Sequence, residues 1–164
     1  ADSFIYVASD EPHKNHNNLV EAWRILAKEG VKPILYLTID NETKLYNNIQ
    51  DLVKQYGLKI RIKTKLTRDE LLAYYQKVEA LIYPSYFECF GIPMIEAQNF
   101  DLPIIAAELD YVRDLVDPVE TFDPTSPRSI SRAVKRFLGH PDSRAEVMPA
   151  NQFIDELISY SKNA

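Results

Sequence analysis

Residues 80–97, Ala80-Leu81-Ile82-Tyr83-Pro84-Ser85-Tyr86-Phe87-Glu88-Cys89-Phe90-Gly91-Ile92-Pro93-Met94-Ile95-Glu96-Ala97, pass from a short apolar run through an aromatic and acidic loop into the start of a helix. Ala80 to Tyr83 reads as a short strand that runs into the loop Pro84 to Gly91. Ile92 opens the helix, and Pro93 suits its first turn, where a fixed φ and a missing N–H cost little. A strand running through a loop into a helix is the βα half of a βαβ unit.

The same alternation extends in both directions. Upstream, Ser3 to Ala8 reads as a strand, and Asn15 to Glu29 places Leu19, Ala22, Trp23 and Leu26 on one helical face, with Gly30 just past its end. A strand near Pro33 to Ile39, a helix near Glu42 to Tyr56 closed by Gly57, and a strand near Lys59 to Lys63 follow. Thr67 and Glu70 form a capping-box signature for the next helix. Downstream, the expectation is a strand Pro103 to Ala106, a short helix Tyr111 to Val116, a strand Val119 to Phe122, a helix Ser129 to Leu138 opened by Ser126 and Pro127, and a last helix Asp142 to Lys162. About six strands alternating with helices predict an α/β fold, a Rossmann-like doubly wound parallel sheet, whose ligands bind outside the carboxyl ends of the strands.

The chain has 164 residues, nearly half of them apolar, which is enough for a single domain spanning residues 1–164 with a full core. No stretch approaches the roughly 18 consecutive apolar residues of a membrane helix, and the first residues lack the basic-then-apolar build of a signal peptide. The single cysteine, Cys89, cannot form an internal disulfide. That fits a reducing compartment, and a cytoplasmic location is expected, with a membrane-peripheral full-length protein compatible with it. A net charge of −5 excludes broad nucleic-acid binding, which draws its affinity from clustered lysine and arginine. Any bound phosphate must be met locally.

Two loops carry the residues that could do so. In the first, Glu88 and Glu96 flank the strand-to-helix turn, one in the loop and one in the helix. Gly91 stands where a backbone must approach a ligand closely, and the free amides at the helix start can receive a phosphate. A carboxylate at Glu96 could accept hydrogen bonds from both hydroxyls of a ribose. Taken alone, each glutamate would read as a solvated surface acid.

This segment resembles the donor-binding domain of glycosyltransferase family 4, a retaining family with the two-domain GT-B fold and an acid-x7-acid motif. The resemblance covers nearly the whole chain and includes Pro84-Ser85, Phe90 to Pro93, Glu96-Ala97 and Phe122 to Pro124. It implies that Glu88 faces the hydroxyls of the donor sugar, that backbone amides around Phe90, Gly91 and Ile92 approach sugar and phosphate, and that Glu96 holds the ribose. It further implies a nucleoside-diphosphate sugar as substrate and no metal or other cofactor. The acceptor site, with a catalytically essential histidine, would then belong to an N-terminal domain of the same protein that this chain lacks, so the isolated domain is expected to be inactive. Leu66 falls in the region where the family contacts the base, mostly through backbone.

The second loop is Ser9-Asp10-Glu11-Pro12-His13-Lys14-Asn15-His16, after the first strand. Lys14 matches the family's phosphate-binding lysine. A cation in a first helical turn opposes the helix dipole by roughly 0.3–1 kcal/mol, so its placement is better explained by an anionic ligand than by helix stability. The family usually has Gly-Arg where this chain has Ala8-Ser9, which removes a second phosphate cation and leaves Ser9 in a donor-binding position. A charge-assisted hydrogen bond contributes roughly 1.5–3 kcal/mol, so diphosphate affinity should be weaker unless His13 or Lys65 substitutes.

Other features carry less. His13 and His16 lack further ligands at metal-binding spacing. Cys89 has no activating base and reads as a small packing residue, and the aromatics from Tyr74 to Phe90 read mainly as core. Two other functions are compatible with the architecture: a sugar-nucleotide epimerase half-domain, and a receiver-like signalling domain. The latter would use Asp10 and Glu11, but it needs an acid after strand three and a lysine after strand five, where the chain has Lys63-Thr64 and Ala106-Ala107.

Overall fold

Residues 2–140 are described by a computed structural model, and they fold as alternating strands and helices. The strands are β1 (Ser3–Tyr6), β2 (Ile34–Leu37), β3 (Ile60–Ile62), β4 (Ala80–Tyr83), β5 (Ile104–Ala107) and β6 (Glu120–Phe122). The helices are α1 (His16–Lys28), α2 (Lys44–Tyr56), α3 (Arg68–Lys77), α4 (Ile92–Asn99), α5 (Asp110–Leu115) and α6 (Pro127–Phe137). All pairings are parallel, in the order β3-β2-β1-β4-β5-β6. Every residue of β1, β2, β4 and β5 is buried, because helices cover both faces of a doubly wound sheet. The edge strands β3 and β6 are only partly covered. The expected helix Asp142 to Lys162 lies outside the described residues.

Helix ends follow local chemistry. The hydroxyls of Thr43, Thr67 and Ser126 each accept an N–H three residues on, from Tyr46, Glu70 and Ser129. At Thr67 the capping box closes through side chains, the hydroxyl also lying 3.0 Å from the Glu70 carboxylate. Gly57 ends α2 in the left-handed region at φ 63°.

The core knots β1 to α1 and α6. The Phe4 ring meets Trp23 of α1 and Phe137 of α6 edge-on, at 5.8 and 5.7 Å between centroids. The Trp23 indole N–H donates to the Pro33 carbonyl at 2.9 Å, so its polar edge is satisfied in the core. Leu19, Ala22, Trp23 and Leu26 are all buried, as their helical spacing requires. Lys135 of α6, although buried, reaches Glu29 at the end of α1 at 2.6 Å.

Beginning at β1, the chain winds outward through β2 and β3, then returns to lay β4 against the other side of β1, with Phe4 opposite Ala80 and Ile5 opposite Leu81. The winding reverses there, so the connections leaving β1 and β4 diverge and leave a crevice between them. Both sequence loops singled out above emerge at this point.

Candidate functional site: a cleft at the β1/β4 switch point

After β1 the chain does not enter α1 directly. Pro12–Lys14 form a 3-10 turn, and Asn15 follows in the left-handed conformation at φ 64° before α1 starts at His16. Lys14 therefore precedes the first turn of α1, which corrects the expectation that it lies within it. Asparagine tolerates this backbone because its short polar side chain bonds locally. Its Nδ2 donates to the carbonyls of Pro84 (2.9 Å) and Pro124 (2.8 Å), and its Oδ1 accepts from Asn18. One buried amide thus ties together the loops after β1, β4 and β6.

Further bonds stitch the two principal loops. The His13 carbonyl accepts the Tyr86 N–H at 2.9 Å, the His13 ring stacks on Phe87 at 4.3 Å, and the Tyr6 hydroxyl donates to the Lys14 carbonyl at 2.7 Å. The Tyr111 hydroxyl, from α5, donates to the Ser85 carbonyl.

The ends of these loops enclose a cleft of about 660 Å³, a volume suited to a small-molecule ligand. Ser9, Lys14, Glu88, Phe90, Gly91 and Ile92 all line it, together with His13, Asp40 and Lys65. Lys14 Nζ lies 2.6 Å from Glu88 Oε1, and the two side chains are only 15% and 11% exposed. The Ser85 hydroxyl approaches the same carboxylate oxygen at 3.0 Å. Tyr83 lines the cleft as well; burial first, and then the Glu88 charge, raise its pKa and keep its hydroxyl neutral. Glu88 is thereby fixed by the Lys14 cation and the Ser85 hydroxyl.

Gly91 caps α4 at φ 59°, and an added Cβ would overlap Leu115 Cδ1. Only glycine meets both demands without strain. With no side chain at the cap, and Ile92 and Pro93 opening the first turn, the start of α4 borders the cleft. Ser9 donates its hydroxyl to the Glu11 carboxylate, which lowers the Glu11 pKa.

Two predicted site residues lie elsewhere. Leu66 does not line the cleft; its neighbour Lys65, with the unusual φ of 50°, does. Glu96 is also outside the lining, on the next turn of α4, where its carboxylate accepts from Arg68 Nη1 at 2.8 Å. Two bland expectations are corrected. Cys89 is exposed at the cleft rather than packed, and Phe87 and Phe90 are 57% and 74% exposed, because residues 86–90 project beyond the end of β4. Tyr75 and Tyr83 are buried, as expected of aromatics beside a sheet.

Sequence reasoning overlooked Asn15, Ser85, Tyr83 and Arg68 as parts of this arrangement. Asn15 carried a local signal, as an asparagine directly before a helix, and Ser85 stood in the quoted Pro84-Ser85 pair without a role assigned to it. Among the described residues no three His, Cys, Asp or Glu side chains converge to hold a metal ion. No described helix is long and apolar enough to cross a membrane.

The chain is 29% identical over 158 residues to the serotype-specific mannosyltransferase WbdA of Escherichia coli, matching 92% of this chain and 19% of that protein. It is 26% identical over 141 residues to the O-antigen chain mannosyltransferase RfbU of Salmonella typhimurium, matching 85% of this chain and 39% of that one. The chain thus spans a fifth to two-fifths of the length of these relatives. Among solved structures, it superposes on a glycosyltransferase from Rickettsia africae with a TM-score of 0.74, at 18% identity over 85% of this chain and 38% of that one. On the catalytic domain of the cholesterol-α-glucosyltransferase of Helicobacter pylori the TM-score is 0.69, at 17% identity over 84% and 86% of the two chains. These superpositions establish the shared fold. The sequence profile of the family "Glycosyl transferases group 1" matches residues 2–152, nearly the whole chain, and the chain belongs to that family.

Proposed function

We propose that this chain is the donor-binding domain of a retaining glycosyltransferase of family 4, which transfers a hexosyl group from a nucleoside-diphosphate sugar to a glycan or lipid-linked acceptor. The observation that carries this reading is the Lys14–Glu88 pair, held inside the cleft at the switch point. A lysine ammonium has three donors, so Lys14 can keep Glu88 and also bind a phosphate oxygen. As the bond between sugar and diphosphate breaks, charge grows on the leaving group; Lys14 and the amides at the start of α4 stabilise it. Glu88 orients the sugar hydroxyls, and Glu96 takes the ribose. His13 and Lys65 line the same cleft and stand in for the cation absent at Ser9.

Mannosyl transfer by the named relatives supports a hexosyl donor and a role in surface polysaccharide synthesis. The acceptor site belongs to an N-terminal domain of the same cytoplasmic protein, and no metal is required because lysine and backbone amides balance the diphosphate charge. The domain alone turns nothing over.

The test is titration with UDP, GDP, ADP and their common sugar conjugates, followed by thermal shift and chemical-shift changes. One nucleotide should bind at roughly 0.1–1 mM. Glu96→Ala should weaken that binding, and in the full-length protein Lys14→Ala should lower turnover at least tenfold. Unchanged turnover removes Lys14 from the mechanism. Failure of every nucleotide to bind the full-length protein overturns the function.

A further inference from the structure

The Arg68–Glu96 pair joins the start of α3 to α4, 28 positions apart in sequence, and no other described contact explains it. The guanidinium is 69% exposed and the carboxylate 16%. Nothing about fold stability requires an arginine there: an ion pair with so open a cation contributes little. Arg68 reaches Glu96 through Nη1 and Oε1 only, at 2.8 Å, not through the two-pronged contact that arginine and carboxylate favour when the pair itself is the purpose. The Tyr75 hydroxyl is buried without a partner, and its pKa is raised first by burial and then by the Glu96 charge. Glu96 Oε2 has no described partner.

We propose that Arg68 is a positioning residue for ribose recognition, which holds Glu96 by one oxygen in the rotamer that presents the other to the donor. This rests on Glu96 reading the ribose. A glutamate has three side-chain torsions to fix, and a free one would lose that freedom only when the nucleotide arrives. With Oε1 anchored, the carboxylate plane is set beforehand. Oε1 has a second lone pair, so both oxygens remain able to accept from the two vicinal ribose hydroxyls. Arg68 thus sharpens the preference for ribose over deoxyribose without touching the diphosphate.

The experiment compares the affinities of UDP, GDP and ADP with those of their 2′-deoxy counterparts, for the intact protein and its Arg68→Ala, Arg68→Lys and Glu96→Ala variants. The wild type should prefer the ribonucleotide about tenfold or more, equivalent to 1.4 kcal/mol. Arg68→Ala should reduce that preference below about threefold, leave deoxynucleotide affinity within twofold, and leave the melting temperature unchanged. Arg68→Lys, which keeps the charge but not the planar fork, should retain an intermediate preference. A full preference in Arg68→Ala, alongside its loss in Glu96→Ala, overturns the role of Arg68 while leaving the ribose reading intact. Tighter ribonucleotide binding by Arg68→Ala also overturns it, since Arg68 would then compete with the ribose. A wild type with no preference, unaltered by Glu96→Ala, overturns the ribose reading itself.

Discussion

Replacing Asn15 with alanine removes the amide that binds three loops at the switch point, and its cost can be built from the contacts. Three hydrogen bonds, to the Pro84 and Pro124 carbonyls at 2.9 and 2.8 Å and from Asn18 at 2.8 Å, are lost from a residue only 5% exposed, while Asn18 still reaches the Pro124 carbonyl at 3.2 Å. At about 1 kcal/mol each, with the Pro84 carbonyl left buried, they contribute about 2–3 kcal/mol. Alanine in the left-handed conformation that Asn15 holds, φ 64° and ψ 36°, adds about 1 kcal/mol. The sum is about 3–4 kcal/mol, a large part of the roughly 5–15 kcal/mol by which a domain is stable. Asn15→Gly isolates the hydrogen bonds, since glycine accepts this backbone freely, and should cost about 1 kcal/mol less than alanine. Asn15→Asp keeps shape and backbone preference but turns two donors into acceptors facing two carbonyls, so it should cost at least as much as alanine. Equilibrium urea unfolding, followed by far-UV circular dichroism and by the fluorescence of buried Trp23, measures all three. An alanine variant within 1 kcal/mol of wild type, or a glycine variant as unstable as alanine, would refute the reasoning.

Gly91→Ala combines left-handed strain with an overlap on Leu115 Cδ1, a movable side-chain end, and should cost about 1–3 kcal/mol in the same assay. His16 is 3% exposed and its Nε2 has no hydrogen-bond partner; burial pushes its pKa from 6.5 to about 4. The unfolded chain therefore takes up the proton first, and stability present above pH 6.5 is lost as the pH falls toward 4, by about 3 kcal/mol. His16→Phe should flatten that part of a stability–pH profile, and an unchanged slope would show that other groups cause it. Lys14→Met and Glu88→Gln should each destabilise by about 1–3 kcal/mol, because each strands a mostly buried charge, and the double variant should cost at least 1 kcal/mol less than their sum. Strict additivity in a thermodynamic cycle would mean that the pair is not coupled.

How much of this was legible in the sequence depended on the range of the signal. The core helix face and the buried central strands were readable because periodicity and unbroken apolar runs are local. Strand ends were not: β1 stops at Tyr6, its last residue paired with β2, so Val7 and Ala8 leave the sheet although they look like strand. Ser9, Lys14, Glu88 and Phe90 to Ile92 could be gathered into one cleft because each stands in a loop at the carboxyl end of a strand, and a doubly wound sheet brings those ends together. Glu96 and Leu66 are displaced from the cleft by a helical turn and by one residue respectively, finer steps than topology resolves. Arg68, Tyr111 and the carbonyl partners of Asn15 reach across 26 to 109 positions. Nothing in the local composition marks such contacts.

The pairing of Lys14 with Glu88 also bears on how the proposed chemistry would divide between binding and turnover. A lysine head only 15% exposed has lost most of its hydration, and the Glu88 carboxylate at 2.6 Å offsets that cost and holds the ammonium in place before any ligand arrives. The same carboxylate cancels much of the attraction that Lys14 would exert on a resting diphosphate, and Asp10, Glu11 and Asp40 line the cleft with like charge. Ground-state affinity is thereby kept modest. When the glycosidic bond stretches, the negative charge arriving on the leaving oxygen is new, whereas the repulsion from Glu88 toward the rest of the diphosphate was already present in the bound donor. The increment at Lys14 is felt in a partly buried site of low dielectric, where it is worth more than in water. An interaction that grows only as the bond breaks raises turnover rather than tightening substrate binding, so neutralising Lys14 should act more on the rate of the bound complex than on donor affinity.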